Sequence, residues 1–354
     1  MGASENPPIN RWASIGCPSG TKGGETPTLL KTYPPPAPFP TREGGAAPLA
    51  LQERGWGRGF AANKVFIHFI RTFAGFYGFM MIEDILFQYS ANRNIHKLRP
   101  YLPLNFCEQA AEGLLNSPGT VLIATGFWVA GTCETDGPIG AMVLADVLQE
   151  LGSIPIFVTD RFCAEVLRTC RDYQVLEFPI ASHEQSRHIA QTVLEQHAPS
   201  CVISVERCGM SADHNYYNMR GVNISAYTAK LDYLFELFPM SIGIGDGGNE
   251  IGMGNLREAI QREALPIRPC TTQVTYPVLA TVSNWGAYGI IAYLSRKTGR
   301  DYLKFVRVGD LLSQLVSLGV VDGVLKKPES RVDGFSLATI ETIIRQLAKE
   351  CQST

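Results

Sequence analysis

The sequence predicts an α/β protein: a mostly parallel sheet with helices on both faces and extra helices at the C-terminus. Three observations carry that prediction. Apolar runs too short for helices, such as Met240 to Ile244, alternate with longer segments of helical periodicity. Runs and helices succeed one another singly, the rhythm of a parallel sheet covered on both sides. One run empties into Gly243-Ile-Gly-Asp-Gly-Gly-Asn-Glu-Ile-Gly-Met-Gly254, and glycine-rich loops at strand ends are where open α/β sheets bind ligands.

The elements follow in order. Residues 1–79 are rich in proline and glycine (Tyr33-Pro-Pro-Pro-Ala-Pro-Phe-Pro40) and lack apolar periodicity, so a disordered extension is expected there, with residues 80–354 forming the α/β domain. Ile82 to Gln88 is the first amphipathic segment. Helix Phe106–Leu115 leads through Ser117-Pro-Gly to a strand, Thr120–Ala124. Ile139–Leu151 is a helix closed by Gly152, followed by strand Ile154–Thr159 and helix Phe162–Cys170. Strand Val175–Phe178, helix His183–His197 and strand Cys201–Val205 continue the pattern. Helix Ala229–Leu237 precedes the Met240–Ile244 strand, with a helix expected from Glu250 to Arg262. Strand Val278–Val282 and helix Gly286–Arg296 complete a three-layer, Rossmann-like arrangement. Helices near Val308–Leu318 and Leu337–Ala348 are expected to pack on one edge.

Composition narrows the function. Among 354 residues, 18% are charged and the net charge is -2, which offers no basic surplus for nucleic acid. The most apolar stretch, Val65 to Ile82, is interrupted by His68 and Arg71, so no membrane span is expected. Nine scattered cysteines without a Cys-x-x-Cys pair point to reduced thiols and a cytoplasmic protein. No phosphate-binding G-x-x-x-x-G-K-[ST], no G-x-S-x-G elbow and no H-E-x-x-H occurs.

In a parallel sheet the loops after the strands share one edge, and here those loops collect acids. Glu134, Thr135 and Asp136 follow the first strand, Asp160 the second, Glu206 and Arg207 the fourth, Asp246 and Glu250 the glycine-loop strand, and Ser283 and Asn284 the last. Gly243, Gly245 and Gly248 match the dinucleotide pattern G-x-G-x-x-G, but Asp246 inside it and Glu250 just after it would repel a pyrophosphate. The same acids suit an ammonium group or a divalent cation. Bland roles compete: Asp136 can cap the helix that Pro138 starts, Asp160 reads as a cap rather than a ligand, and Glu206 and Arg207 can pair locally. Cys133 reads as a buried thiol, and Asp213 to Asn218 suits a substrate-covering loop or a surface turn.

Three motifs together, Thr125-Gly-Phe through Glu134-Thr-Asp-Gly-Pro-Ile-Gly-Ala141, Ser204-Val-Glu-Arg-Cys-Gly209 and Gly243 to Gly254, resemble the D-glutamate cyclase family over roughly residues 81–350. The resemblance implies cyclisation of D-glutamate to 5-oxo-D-proline with loss of water, and a mitochondrial matrix location as the alternative to the cytoplasm. For that reaction the expected catalytic residues are Glu134, Asp136 and Asp246. Substrate contacts are expected from Gly126, Thr135, Glu206, Arg207, Gly245, Gly247, Gly248, Asn249 and Asn284, with Arg207 and the loop amides facing substrate carboxylates. A Mg²⁺ or Mn²⁺ ion would take Glu134, Asp136, Asp246 and Glu250, and no nucleotide or organic cofactor is expected. A metal-dependent hydrolase using the same acids, and a nucleotide- or small-ligand-binding protein without catalysis, are the alternatives.

Overall fold

The computed structural model describes residues 80–352; the extension expected over residues 1–79 lies outside them. Helix α1 (Ile82–Leu86) and two 3₁₀ segments, Ser90–Arg93 and Ile95–Tyr101, lead to α2 (Phe106–Leu115). Then come β1 (Thr120–Thr125), a small hairpin of β2 (Trp128–Val129) and β3 (Thr132–Cys133), and α3 (Pro138–Glu150). The alternation continues with β4 (Ile154–Thr159), α4 (Arg161–Cys170), β5 (Gln174–Glu177), α5 (His183–His197) and β6 (Cys201–Val205). After a long loop follow α6 (Asp232–Leu237), β7 (Ser241–Gly245), α7 (Arg257–Arg262), β8 (Tyr276–Leu279) and α8 (Ser283–Thr298). The C-terminal part is α9 (Val308–Ser317), a hairpin of β9 (Arg331–Val332) and β10 (Phe335–Ser336), and α10 (Leu337–Gln352).

Six strands form one parallel sheet in the order β5-β4-β1-β6-β7-β8. Chain order therefore runs outward from β1 to one edge, then returns to β6 and runs to the other. The reversal leaves a crevice above the C-terminal ends of β1 and β6, the switch point where doubly wound sheets hold ligands. Side-chain alternation covers both faces: Val121 and Ile123 join the core with α3 and α8, while Leu122 and Ala124 join α5 and α6. Helix α8 is buried from Ser283 to Ser295, which marks a central helix rather than a surface one. Gly286 sits where a Cβ would come 2.6 Å from Ile244, so its small size lets α8 lie against β7.

Three expected boundaries move. The last sheet strand ends at Leu279 and its helix already starts at Ser283, because Asp136 from a distant loop accepts the first helical N–H groups. Helix α6 starts at Asp232, whose carboxylate is held by Met210 N–H, Tyr216 and Thr272. The segment from Glu250 is a turn and a 3₁₀ helix (Met253–Leu256) before α7 begins at Arg257. Gly252 breaks the helix there, with φ +97 and its Cα pressed on Gly243, where a Cβ would come within 2.7 Å. The tail does more than pack on an edge: α10 covers α8 and α1, and the β9–β10 turn reaches the crevice.

Candidate active site

The crevice above β1 and β6 is a cavity of about 260 Å³. Glu134, Glu206, Asp246 and Asp333 supply its carboxylates, and Arg93, Arg220 and Lys326 its cations.

Glu134 is delivered by the β2–β3 hairpin, whose two-residue turn, Ala130 and Gly131, has φ +50 and +95 and so matches the twist of its strands. The segment after it is held by Val321: Thr135 N–H donates to Val321 O, and Val321 N–H to Cys133 O. Asp136 then turns inward. It accepts N–H bonds from Gly137, Ser283 and Asn284, while Asn284 Oδ1 accepts from Gly137 and Gly140. The two side chains thus cap α3 and α8 reciprocally, across 148 positions of chain. Gly137 carries φ +93, and a Cβ there would meet Glu206 at 2.8 Å, so only glycine lets these two loops approach so closely.

Glu206 stands at the end of β6 with φ +44, left-handed for a residue with a side chain. Such backbone costs on the order of 1–3 kcal/mol and persists where the surroundings over-determine it. Here Ser283 Oγ donates to Glu206 Oε2 and Glu206 N–H to Ile244 O. Asp246, at the end of β7, is paired with Arg93. The other terminal nitrogen of Arg93 lies 2.9 Å from Asp333. Asp136, Glu206 and Asp246 each place a carboxylate oxygen within 4.8 Å of the others.

So many buried acids cannot all stay charged. Burial, then the charges of Asp333 and Asp136, push the Glu134 carboxyl well above the usual carboxylate range. Burial likewise raises Glu206, reinforced by Asp246 and Glu250. Asp246 is raised by burial even though Arg93 pulls it down. For Asp136 burial and Asp333 outweigh the N–H bonds from Asn284 and Ser283, and its carboxyl is pushed up to about 8.

The expected site residues divide. Glu134, Glu206 and Asp246 line the cavity; Asp136 lies behind them and caps α8, while the start of its own helix is held by Asn284. Arg207 is a correction. It is 1% exposed, paired with Asp160 at 2.6 Å, and donates to Gly126 O and Ala229 O, so it holds loops together and faces no substrate. Gly247 and Gly248 are corrected too: their N–H groups donate to Glu250 Oε2 and offer nothing to a substrate carboxylate or a pyrophosphate. Glu250 therefore ties the loop together; of the expected ion ligands Glu134, Asp136, Asp246 and Glu250, only Asp136 and Asp246 belong to the three-acid group, whose third member is Glu206. Thr135 donates to Arg331 O, and Asn284 spends its amide on Thr135 O. Gly126 and Gly245 shape the backbone, a Cβ on either clashing with Cys163 or Glu250, and Asn249 donates to Tyr217 O. Asp160 caps α4, as expected. Cys133 is a buried free thiol raised by its hydrogen bond with the Cys163 thiol and by burial, unfit as a nucleophile.

Arg93, Arg220, Lys326 and Asp333 were missed. Nothing local marks Arg93. Asp333 had a signal: Val332-Asp-Gly-Phe335 is a two-residue hairpin pattern, and Asp333 and Gly334 adopt φ +52 and +79.

Comparison with known proteins gives the family. The profile of the family described as D-glutamate cyclase-like, C-terminal matches residues 82–348. The chain belongs to that family. It is 33% identical over 204 residues to the human protein named D-glutamate cyclase, mitochondrial, a match covering 51% of this chain and 33% of that protein. The match thus spans about a third of its relative's length. A ligand-free aldohexose dehydrogenase of Thermoplasma acidophilum is 14% identical over 37% of this chain and 51% of that one; its TM-score of 0.22 carries no argument. Across the cyclase-like match lie all four cavity carboxylates.

Proposed function

We propose that this chain is a hydro-lyase that closes D-glutamate to 5-oxo-D-proline. The observation that carries this reading is the cavity of a chain that belongs to this family: buried carboxyl groups of raised proton affinity surround a space fit for an amino acid. In the reaction the substrate amine attacks its own γ-carboxyl carbon, a C–N bond forms, a C–O bond breaks and water leaves. The ammonium must lose two protons in all, and the departing oxygen must gain two so that it leaves as water. A carboxyl group whose pKa lies near neutrality performs both transfers well.

Glu134 is the base in this reading, since its carboxylate is not pinned by backbone N–H groups as Asp136 is. Glu206, whose carboxyl burial and the charges of Asp246 and Glu250 hold above the usual carboxylate range, delivers a proton to the γ-carboxyl group. Asp246, held by Arg93, receives the substrate ammonium. Because amine and carboxyl belong to one molecule, holding them in contact contributes on the order of 7–11 kcal/mol, and no nucleotide is required.

Asp136, Glu206 and Asp246 also form an all-oxygen group that fits Mg²⁺ or Mn²⁺. An ion held there would polarise the γ-carboxyl oxygen. That same group favours a second reading, a metal-dependent hydrolase. The eight cysteines among the described residues are all free, which supports a reducing compartment, the cytosol or the mitochondrial matrix.

The experiment is incubation of the purified chain with D- and L-glutamate and with phosphate esters, each with and without chelator. Appearance of 5-oxoproline from D-glutamate supports the first reading. Phosphate release lost on chelation, with no 5-oxoproline, replaces it by the second.

A further inference from the structure

The cavity's polar lining is divided by burial. Its carboxylates Glu134, Glu206 and Asp246 are buried, and Arg93 is engaged on both terminal nitrogens by Asp246 and Asp333. The two remaining cations, Arg220 and Lys326, are exposed at the rim. They come from loops more than a hundred residues apart. Among the described residues neither forms an ion pair, whereas surface Arg168, Arg187 and Lys297 all do.

Each rim cation sits on a built turn. Lys326 has φ +56, a left-handed backbone in a residue with a side chain. It is held there because Lys326 N–H donates to Asp322 O and Asp322 N–H to Lys327 O. The fully buried Asp322 carboxylate also accepts Val324, Leu325 and Gly334 N–H groups. Arg220 tips a second turn, in which Asn218 Oδ1 accepts the N–H groups of Arg220 and Val222. Two rigid turns thus hold unpaired cations over a buried acidic floor.

The geometry points to Arg220 and Lys326 as a carboxylate-recognising rim, which selects ligands carrying acid groups as well as an amine. The amine and the reacting γ-carboxyl group meet the acids of the floor, and the ligand's other carboxylate meets the rim. A simple amine would satisfy the floor alone. This deepens the cyclase reading and rests on it for the identity of the substrate, a dicarboxylic amino acid.

The test uses the full chain, its R220M/K326M variant and the single variants, with D-glutamate, glutarate (two carboxylates, no amine) and butylamine (no carboxylate). Binding is measured by calorimetry and 5-oxoproline formation by kinetics, at low and high salt. Glutarate and D-glutamate affinity is expected to fall about tenfold or more in the double variant, and butylamine affinity to hold within about twofold. KM for D-glutamate should rise with kcat retained, the mark of lost uniform binding. Salt should weaken carboxylate binding to the parent far more than to the variant, and Lys326→Arg should behave as the parent. Unchanged KM and carboxylate affinity in the double variant overturn the inference, as does a parent that binds neither carboxylate. If the parent binds glutarate through the rim but makes no 5-oxoproline, the inference stands and the cyclase reading falls. Cyclisation with a KM indifferent to both substitutions is the reverse case.

Discussion

Replacing Arg207 by methionine separates a substrate contact from a structural one. Sequence placed Arg207 beside the substrate; the structure buries it on three partners. Arg207 donates to Asp160 at 2.6 Å, to Gly126 O at 2.6 Å and to Ala229 O at 2.9 Å, and both members of the ion pair are almost wholly buried. Methionine fills much of the volume but leaves the Asp160 charge and two carbonyls without their donor. Breaking one side of a buried pair costs about 3–5 kcal/mol. Asp160 keeps the Phe162 N–H bond, which favours the lower half of that range. For a domain of this size the loss corresponds to a melting temperature lower by on the order of 10 °C. Adding Asp160→Asn removes the orphaned charge, keeps an oxygen for the α4 cap, and should restore more than half of the loss. Scanning calorimetry on the parent, the single variant and the pair reads this directly, alongside KM for D-glutamate at a temperature where all three are folded. An unchanged melting temperature with a raised KM would refute the reasoning and return Arg207 to the substrate.

Three further outcomes are expected. Glu134→Gln should lower turnover of D-glutamate by roughly 10²–10⁴ while calorimetric substrate binding persists; near-parent turnover would pass the base role to another carboxylate. Asp136→Ala leaves two buried N–H groups, those of Ser283 and Asn284, without an acceptor, and at about 1–3 kcal/mol for each such group it should destabilise the fold markedly at neutral pH, whatever it does to catalysis. The pH dependence of stability follows from the raised carboxyls of Glu134, Glu206 and Asp246. Native protein binds more protons than the unfolded chain, so their contribution is complete below a pH of about 4 and is lost as pH rises through the native pKa values. The melting temperature should therefore fall between pH 5 and 8 (roughly, from the carboxylate reference range), and Glu206→Gln should flatten that slope. Asp213 and Glu108, whose carboxyls are held low, act only in acid and leave the window unaffected. A melting temperature that rises across it would show these acids to be ionised in the native state.

Sequence by itself determined the layered α/β class, the sheet strands to within a few residues, and the edge on which the acid-lined cavity sits. Each rests on local information: period-two and period-3.6 apolar patterns, glycine punctuation, and the shared direction of parallel strands. Glu134, Glu206 and Asp246 were legible for the same reason, since a residue just past a strand must lie at that edge. Tertiary structure decided what each polar group does there, because a buried carboxylate's role depends on which donors reach it, and those come from far along the chain. Asp136 became the cap of α8 because Ser283 and Asn284 present N–H groups to it. Arg207 left the site because Asp160 and two carbonyls claimed it. The glycine loop lost its free amides to Glu250, three residues from Gly247 and invisible to any periodicity. Arg93 and Asp333 entered from opposite ends of the described chain, joined by a charge pair that only burial makes strong.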